Sequence, residues 1–315
     1  MPTLLAKHDA RVASTYEEAR PTVIPTSRGN VEAITWGEGP TVLALHGAMG
    51  GYDQGVLLAR TTVSPRYRFV AISRPGYLGT SINAGRSPQE QADLCAEVLD
   101  HFGIAHASVI AISGGGPTAL QFALRHAGIC TGLVMISACS DRLDVPIPFR
   151  WQVMKLMTRV PALTGAMRKR IMKDPEKAAI RSIPDEATRR RTLADQETSA
   201  LFVALQTSVF DRMAMRIAGT DNDIAQTRED MSWSLEKITA PTLIIHGTAD
   251  RAVPYAQAQS LATRIGGAQL LTIDGGEHVS IFTHRNAVRN RVDGFLESLS
   301  CEPFAKDGSE CLSHH

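Results

Sequence analysis

The chain holds 315 residues, 43% apolar and 21% charged, with a formal net charge of +1. Length and composition fit one large globular domain, or a core domain carrying an insertion, with ample apolar material for a buried core. The balanced charge gives no overall pull towards nucleic acid or membrane, and no apolar run approaches the roughly 18 residues that span a bilayer.

Residues 1–25 read as an N-terminal extension. Short β-branched runs then alternate with helical patterns, the signature of βαβ units and a mostly parallel, doubly wound α/β sheet. Strands are predicted over 31–36, 41–46, 69–73, 108–112, 132–137, 241–246 and 269–273. Ser87-Pro88-Gln89-Glu90 offers an N-cap, a first-turn proline and a capping-box glutamate. Ala92, Cys95, Val98, Leu99 and Phe102 recur behind it at helical spacing until Gly103 stops the helix. Further helices are predicted over 118–126 and 281–299.

Between about 138 and 237 the alternation breaks. Pro146, Pro148, Pro161 and Pro184 cut a Met-, Arg- and Ala-rich stretch into short helical pieces. This predicts a helical insertion, 138–237, between two strands of a core made of 26–137 and 238–299, with 300–315 as a disordered tail. Residues 150–173 carry seven cationic side chains and no acidic one, beside Trp151, Met154, Leu156, Met157 and Val160. Basic amphipathic helices of that kind lie on anionic membranes or meet acidic partners. The preferred reading is a helix whose apolar face covers a pocket, so membrane contact is not expected.

The five cysteines are odd in number and match no metal framework. Cys95, Cys130 and Cys139 sit in apolar patterns, where a thiol behaves as a small hydrophobe. A bridge between Cys301 and Cys311 would still leave a thiol over. With no apolar signal core in the first 30 residues, the expected setting is reducing and cytoplasmic.

The run Val109-Ile110-Ala111-Ile112-Ser113-Gly114-Gly115-Gly116 delivers a serine from an apolar strand into a glycine-rich turn. It reads as a nucleophile elbow, in which Ala111 and Gly115, two residues either side, must be small for strand and helix to approach. A serine hydroxyl needs a general base, and the base an orienting acid. Strand 241–246 leads to Asp250 through Gly247-Thr248-Ala249, and strand 269–273 leads to His278 through Asp274-Gly275-Gly276-Glu277. Asp250 is preferred to Asp141 and Asp144 as the acid, and His278 to His284, which falls inside a helical pattern. His46, closing strand 41–46, reads as a structural hydrogen-bonder rather than a base.

These segments together resemble the α/β-hydrolase superfamily over about residues 26–299, including the order Ser…Asp…His. The turn Ser73-Arg74-Pro75-Gly76-Tyr77-Leu78-Gly79-Thr80-Ser81 is similar to that family's Asp-x-Pro-Gly-x-Gly-x-Ser segment. Departures are Ala111 for glycine, Ser73 for aspartate, and Leu78 with Gly79 displaced by one place. The resemblance implies an α/β-hydrolase fold with a helical cap at 138–237. It also implies an oxyanion hole from the backbone N–H groups of Ala48, in His46-Gly47-Ala48-Met49-Gly50-Gly51, and of Gly114. Ser113 argues against the haloalkane dehalogenases and most epoxide hydrolases, which use aspartate there. The expected activity is a serine esterase cleaving a small-molecule carboxylic ester, lactone or thioester through an acyl-enzyme, without metal or organic cofactor. Carbon–carbon bond hydrolysis or amide cleavage by the same residues stays open, as do a non-catalytic ligand-binding receptor and the oligomeric state.

Overall fold

A computed structural model describes residues 20–143 and 149–301. Eight strands form one sheet: β1 (Thr22–Thr26), β2 (Gly29–Trp36), β3 (Thr41–Leu45), β4 (Arg68–Ile72), β5 (Ala107–Ile112), β6 (Cys130–Ile136), β7 (Thr242–Gly247) and β8 (Gln269–Ile273). Their order across the sheet is β1-β2-β4-β3-β5-β6-β7-β8. The β1–β2 and β2–β4 pairs are antiparallel and every other pair is parallel. This is the expected α/β-hydrolase architecture.

The inner strands are apolar at nearly every position because both faces are covered. Along β3, Leu43 and Leu45 face one core, while Val42 and Ala44 face the other. The first core takes residues from α2 (Pro88–His101), α3 (Gly116–Arg125) and α10 (Tyr255–Arg264). The second takes residues from α1 (Tyr52–Thr62) and α12 (Arg285–Cys301). At the start of α2, Ser87 accepts from the Glu90 N–H and Glu90 accepts from the Ser87 N–H, completing the capping box. Gly103, at φ 66°, ends that segment.

Two elements differ from expectation. All of β1 but Thr26 falls in the stretch read as an N-terminal extension, so the sheet begins earlier. It is an edge strand in which Ile24 alone is buried and Pro25 interrupts the pattern, which hid it from a periodicity argument. The last helix is broken at His284 into α11 (Ser280–Thr283) and α12.

Between β6 and β7 the described elements are helical: α4 (Phe149–Met157), α5 (Pro161–Lys173), α6 (Pro175–Ala179), α7 (Glu186–Ala194), α8 (Gln196–Ser208) and α9 (Ile217–Gln226), with a 3-10 turn at Met213–Arg216. Residues 1–19, Asp144, Pro146, Pro148 and the tail from 302, with Cys311, lie outside the described residues.

Candidate active site

β5 runs directly into a 3-10 turn, Ser113–Gly115, and then into α3. Ser113 has φ 53°, a left-handed conformation that a side-chain-bearing residue holds only under constraint. The constraint comes from the neighbouring backbone. A Cβ on Gly115 would stand 2.8 Å from the carbonyl oxygens of Leu45 and His46, and one on Gly116 would stand 2.2 Å from that of Cys139. Ala111, paired with Leu45 and Met135, is buried in the first core, which accommodates its methyl group where the family pattern has glycine.

The loops after β7 and β8 are stitched to each other. Ala249 N–H donates to Gly276 O (3.0 Å), Thr248 N–H to Ile273 O (3.0 Å), and Gly275 N–H to Thr248 Oγ1 (2.8 Å). A Cβ on Gly247 would lie 2.1 Å from Gly276 O, so that crossing requires glycine. The stitching delivers Asp250 and His278 to one point. Asp250 Oδ2 accepts from His278 Nδ1 at 2.8 Å, leaving His278 Nε2 to accept from Ser113 Oγ at 3.1 Å.

Asp250 Oδ1 accepts from the N–H groups of Ala252 (2.8 Å) and Val253 (3.0 Å), and His246 Nε2 lies 3.3 Å from Oδ2. Burial pushes the Asp250 carboxyl up, but hydrogen bonds from His246, His278 and Val253 outweigh it and hold the group well below the usual carboxylate range. The acid is sealed from solvent while the His278 ring remains partly open. A buried anion fixing the imidazole tautomer, with the other nitrogen on a hydroxyl, is the geometry of nucleophile activation.

The loop after β3 crosses above the serine. A Cβ on Gly47 would lie 3.0 Å from Ser113 Cβ, and one on Gly114 would lie 3.4 Å from Ala48 N. The Ala48 backbone thus packs against Gly114, and Gly47 against Ser113. His46 is spent on structure: its Nδ1 is 2.7 Å from Gly47 O, and its Nε2 accepts from Arg74 N–H at 3.1 Å. Burial, and then the Arg74 charge, lower its pKa well below 6.5.

Sequence reasoning missed what holds this loop. Arg216, buried in the helical segment, donates to Gly50 O (2.7 Å) and Met49 O (3.3 Å) and pairs with Asp53. Thr220 Oγ1 accepts from Met49 N–H at 3.0 Å. Asp223 on α9 accepts from both terminal nitrogens of buried Arg74 (2.9 and 2.6 Å) and from the Tyr77 hydroxyl (2.6 Å). Burial disfavours the Arg74 charge, but Asp223 more than offsets this and the guanidinium pKa is raised. Gly219 N–H donates to Gly76 O, and Leu78, at φ 47°, donates to Met215 O. Ser73, standing where the family pattern has aspartate, donates to Glu32 Oε2 and accepts from Tyr52 N–H.

The rival residues lie elsewhere. Asp141 accepts from the adjacent Arg142 N–H, and His284 sits half-buried against the Thr283 hydroxyl. The thiols of Cys95, Cys130 and Cys139 are free and buried, and burial pushes each up to about 12. Among the described residues no cluster of metal-ligating side chains occurs, and no helix is long and apolar enough to cross a membrane. A cavity of about 900 Å³ is walled by Met154, Met157, Ile171, Phe202, Phe210 and Val279, the residue after His278. The rest of its wall also comes from the helical segment.

Known proteins resemble this chain over most of its length. It is 25% identical to an uncharacterised hydrolase of Bacillus subtilis, over 86% of this chain and 96% of that one. Identity to a poly(3-hydroxyalkanoate) depolymerase of Ectopseudomonas oleovorans is 26%, covering 82% of this chain and 84% of that protein. Among solved structures, an alpha/beta hydrolase fold protein from Nakamurella multipartita superposes with a TM-score of 0.76 and 31% identity, covering 89% and 99% of the two chains. The model of the alpha/beta hydrolase family matches residues 42–291, most of the described chain, and on that match the protein belongs to the alpha/beta hydrolase family and is a hydrolase.

Proposed function

We propose that this hydrolase cleaves carboxylic esters through an acyl-enzyme on Ser113, with His278 as general base and acid and Asp250 as its orienting anion. The hydrogen-bonded line Asp250–His278–Ser113, at 2.8 and 3.1 Å, carries the reading. Ser113 Oγ passes its proton to His278 Nε2 as it attacks the ester carbonyl. The Ala48 and Gly114 N–H groups donate to the oxyanion, and the buried Asp250 charge stabilises the imidazolium. His278 then gives its proton to the departing alkoxide, releasing the alcohol. Water delivers a proton to His278 and its oxygen to the acyl carbon, and Ser113 recovers its proton as the acid leaves.

The helical segment acts as the cap. Its cavity lies within the size range of small-molecule sites, and apolar walls beside Val279 suit a substrate with an apolar arm. The buried free thiols support a reducing, cytoplasmic setting. A fluorophosphonate tests the chemistry: one adduct on Ser113, absent in Ser113→Ala together with hydrolysis of short p-nitrophenyl esters, is expected. Folded wild-type protein that takes no adduct refutes the proposal and favours a ligand-binding role.

A further inference from the structure

We infer that the exposed stripe of α4, with the exposed cations that follow it in the chain, docks on an anionic lipid surface. Among the described residues nine large apolar side chains are exposed, and six of them lie between 149 and 173. Scattered exposed hydrophobics need no explanation, but a concentration of this kind marks an interaction site.

The pattern within α4 is ordered. Phe149, Val153 and Leu156 stand at i, i+4 and i+7, hence on one side of the helix, and Phe149 and Leu156 are 82% and 61% exposed. The opposite side is anchored. Trp151 is buried, its Nε1 donates to Asp221 at 2.9 Å, and Lys155 Nζ lies 2.8 Å from the same carboxylate. Of the apolar residues expected to cover the pocket, Met154 and Met157 line the cavity, whereas Leu156 and Val160 face water.

Charge identifies the occupant. Arg159, Arg168, Lys169, Arg170 and Lys173 are exposed along the same stretch, and no acidic residue occurs between 149 and 173. A second copy of the chain, pairing through its own identical face, would set like charges opposite each other. An anionic bilayer offers both an apolar layer for the stripe and counter-charge for the cations. Val153, Arg170 and Lys173 also line the cavity, so the docking stripe borders it.

The test is co-sedimentation of the full chain with phosphatidylglycerol or phosphatidylcholine vesicles. Binding to the anionic vesicles is expected to exceed that to the zwitterionic ones. It is also expected to weaken between about 0.1 M and about 1 M salt, as the screening length falls from about 10 to about 3 Å. Arg168→Gln and Lys169→Gln should each weaken it about fivefold, and Phe149→Ser/Leu156→Ser should abolish it, with unfolding midpoints unchanged in every variant. The inference is overturned by equal partition onto both vesicles or by none onto either. Binding that survives Phe149→Ser/Leu156→Ser also overturns it, as does a stable dimer that those substitutions convert to a monomer without vesicle binding.

Discussion

At the carboxyl edge of the sheet and in the outer helices, the same chain is held by different means. Around Ser113 the fit is between backbones: a single methyl group on Gly115, Gly116 or Gly247 would lie within 2.8 Å of a carbonyl oxygen. In α5 a Cβ on Gly165 would meet nothing within 4 Å, and Leu163 and Met172 are exposed on the same helix. The edge therefore fixes atoms closely enough for chemistry, which depends on sub-ångström placement. The outer helices present side chains that can be exchanged without disturbing that placement. Chemistry and substrate choice should then separate under mutation, and the largest effects should fall at the edge.

Asp250→Asn is the most severe test of that separation. Losing the anion that fixes the His278 tautomer should lower kcat by about 10⁴, with folding retained. Asp141→Asn, on a carboxylate bonded to its own loop, should leave kcat unchanged. Steady-state kinetics that reverse this ranking would move the acid to the loop after β6.

Chain order and packing divide the two regions differently. α9 belongs to the helical segment by chain order but to the sheet edge by packing, because Asp223 supports buried Arg74. Asp223→Asn strands a buried guanidinium, and breaking such a pair typically costs about 3–5 kcal/mol. Urea unfolding should show a loss of that size. Substituting Arg168 or Lys169, exposed on α5, should change stability by less than about 0.5 kcal/mol. A small loss for Asp223→Asn would show that α9 is as loosely held as the outer helices.

The legibility of the chain divides along similar lines. The elbow, the two strand-end loops and the capping box of α2 are local, since their residues are separated by a few positions and their spacing carries the geometry. Ser113, Asp250 and His278 could be singled out because each follows an apolar strand with glycine at the turn. The Arg74–Asp223 and Arg216–Asp53 pairs join residues 149 and 163 positions apart, and nothing in either local pattern names its partner. β1 is illegible for another reason: an edge strand half open to solvent, with a proline in it, lacks the alternation that marks its neighbours.

The outer helices should respond in selectivity rather than rate. Met157→Ala enlarges the cavity at a wall formed by a flexible thioether. Because one methylene in an apolar pocket is worth about 1–3 kcal/mol of discrimination, the preferred p-nitrophenyl ester should lengthen while activity towards the shortest ester persists. An unchanged chain-length profile would place the bound substrate outside the cavity.

Acid should distinguish the regions most finely. The His46 ring, packed against the loop after β3, is fully buried and faces the Arg74 and Arg216 charges, so its pKa lies well below 6.5 in the folded protein. Below pH 6.5 the unfolded chain takes up a proton that folded His46 refuses, so stability falls as pH falls, by about 1.4 kcal/mol for each pH unit over which the ring stays neutral. His284, half-buried and lowered by burial and by Arg191, contributes in the same direction. Asp250 adds nothing in this window: its depressed carboxyl contributes stability that is present above about pH 3.8 and lost only on further acidification. Unfolding free energies measured between pH 7.5 and 5 should therefore decline, and His46→Gln should flatten the slope more than His284→Gln does. The slope is the readout, so a variant that is less stable at every pH remains informative. A slope unaffected by His46→Gln would mean that the ring beside the loop after β3 charges freely, and that the edge is less tightly sealed than its hydrogen bonds imply.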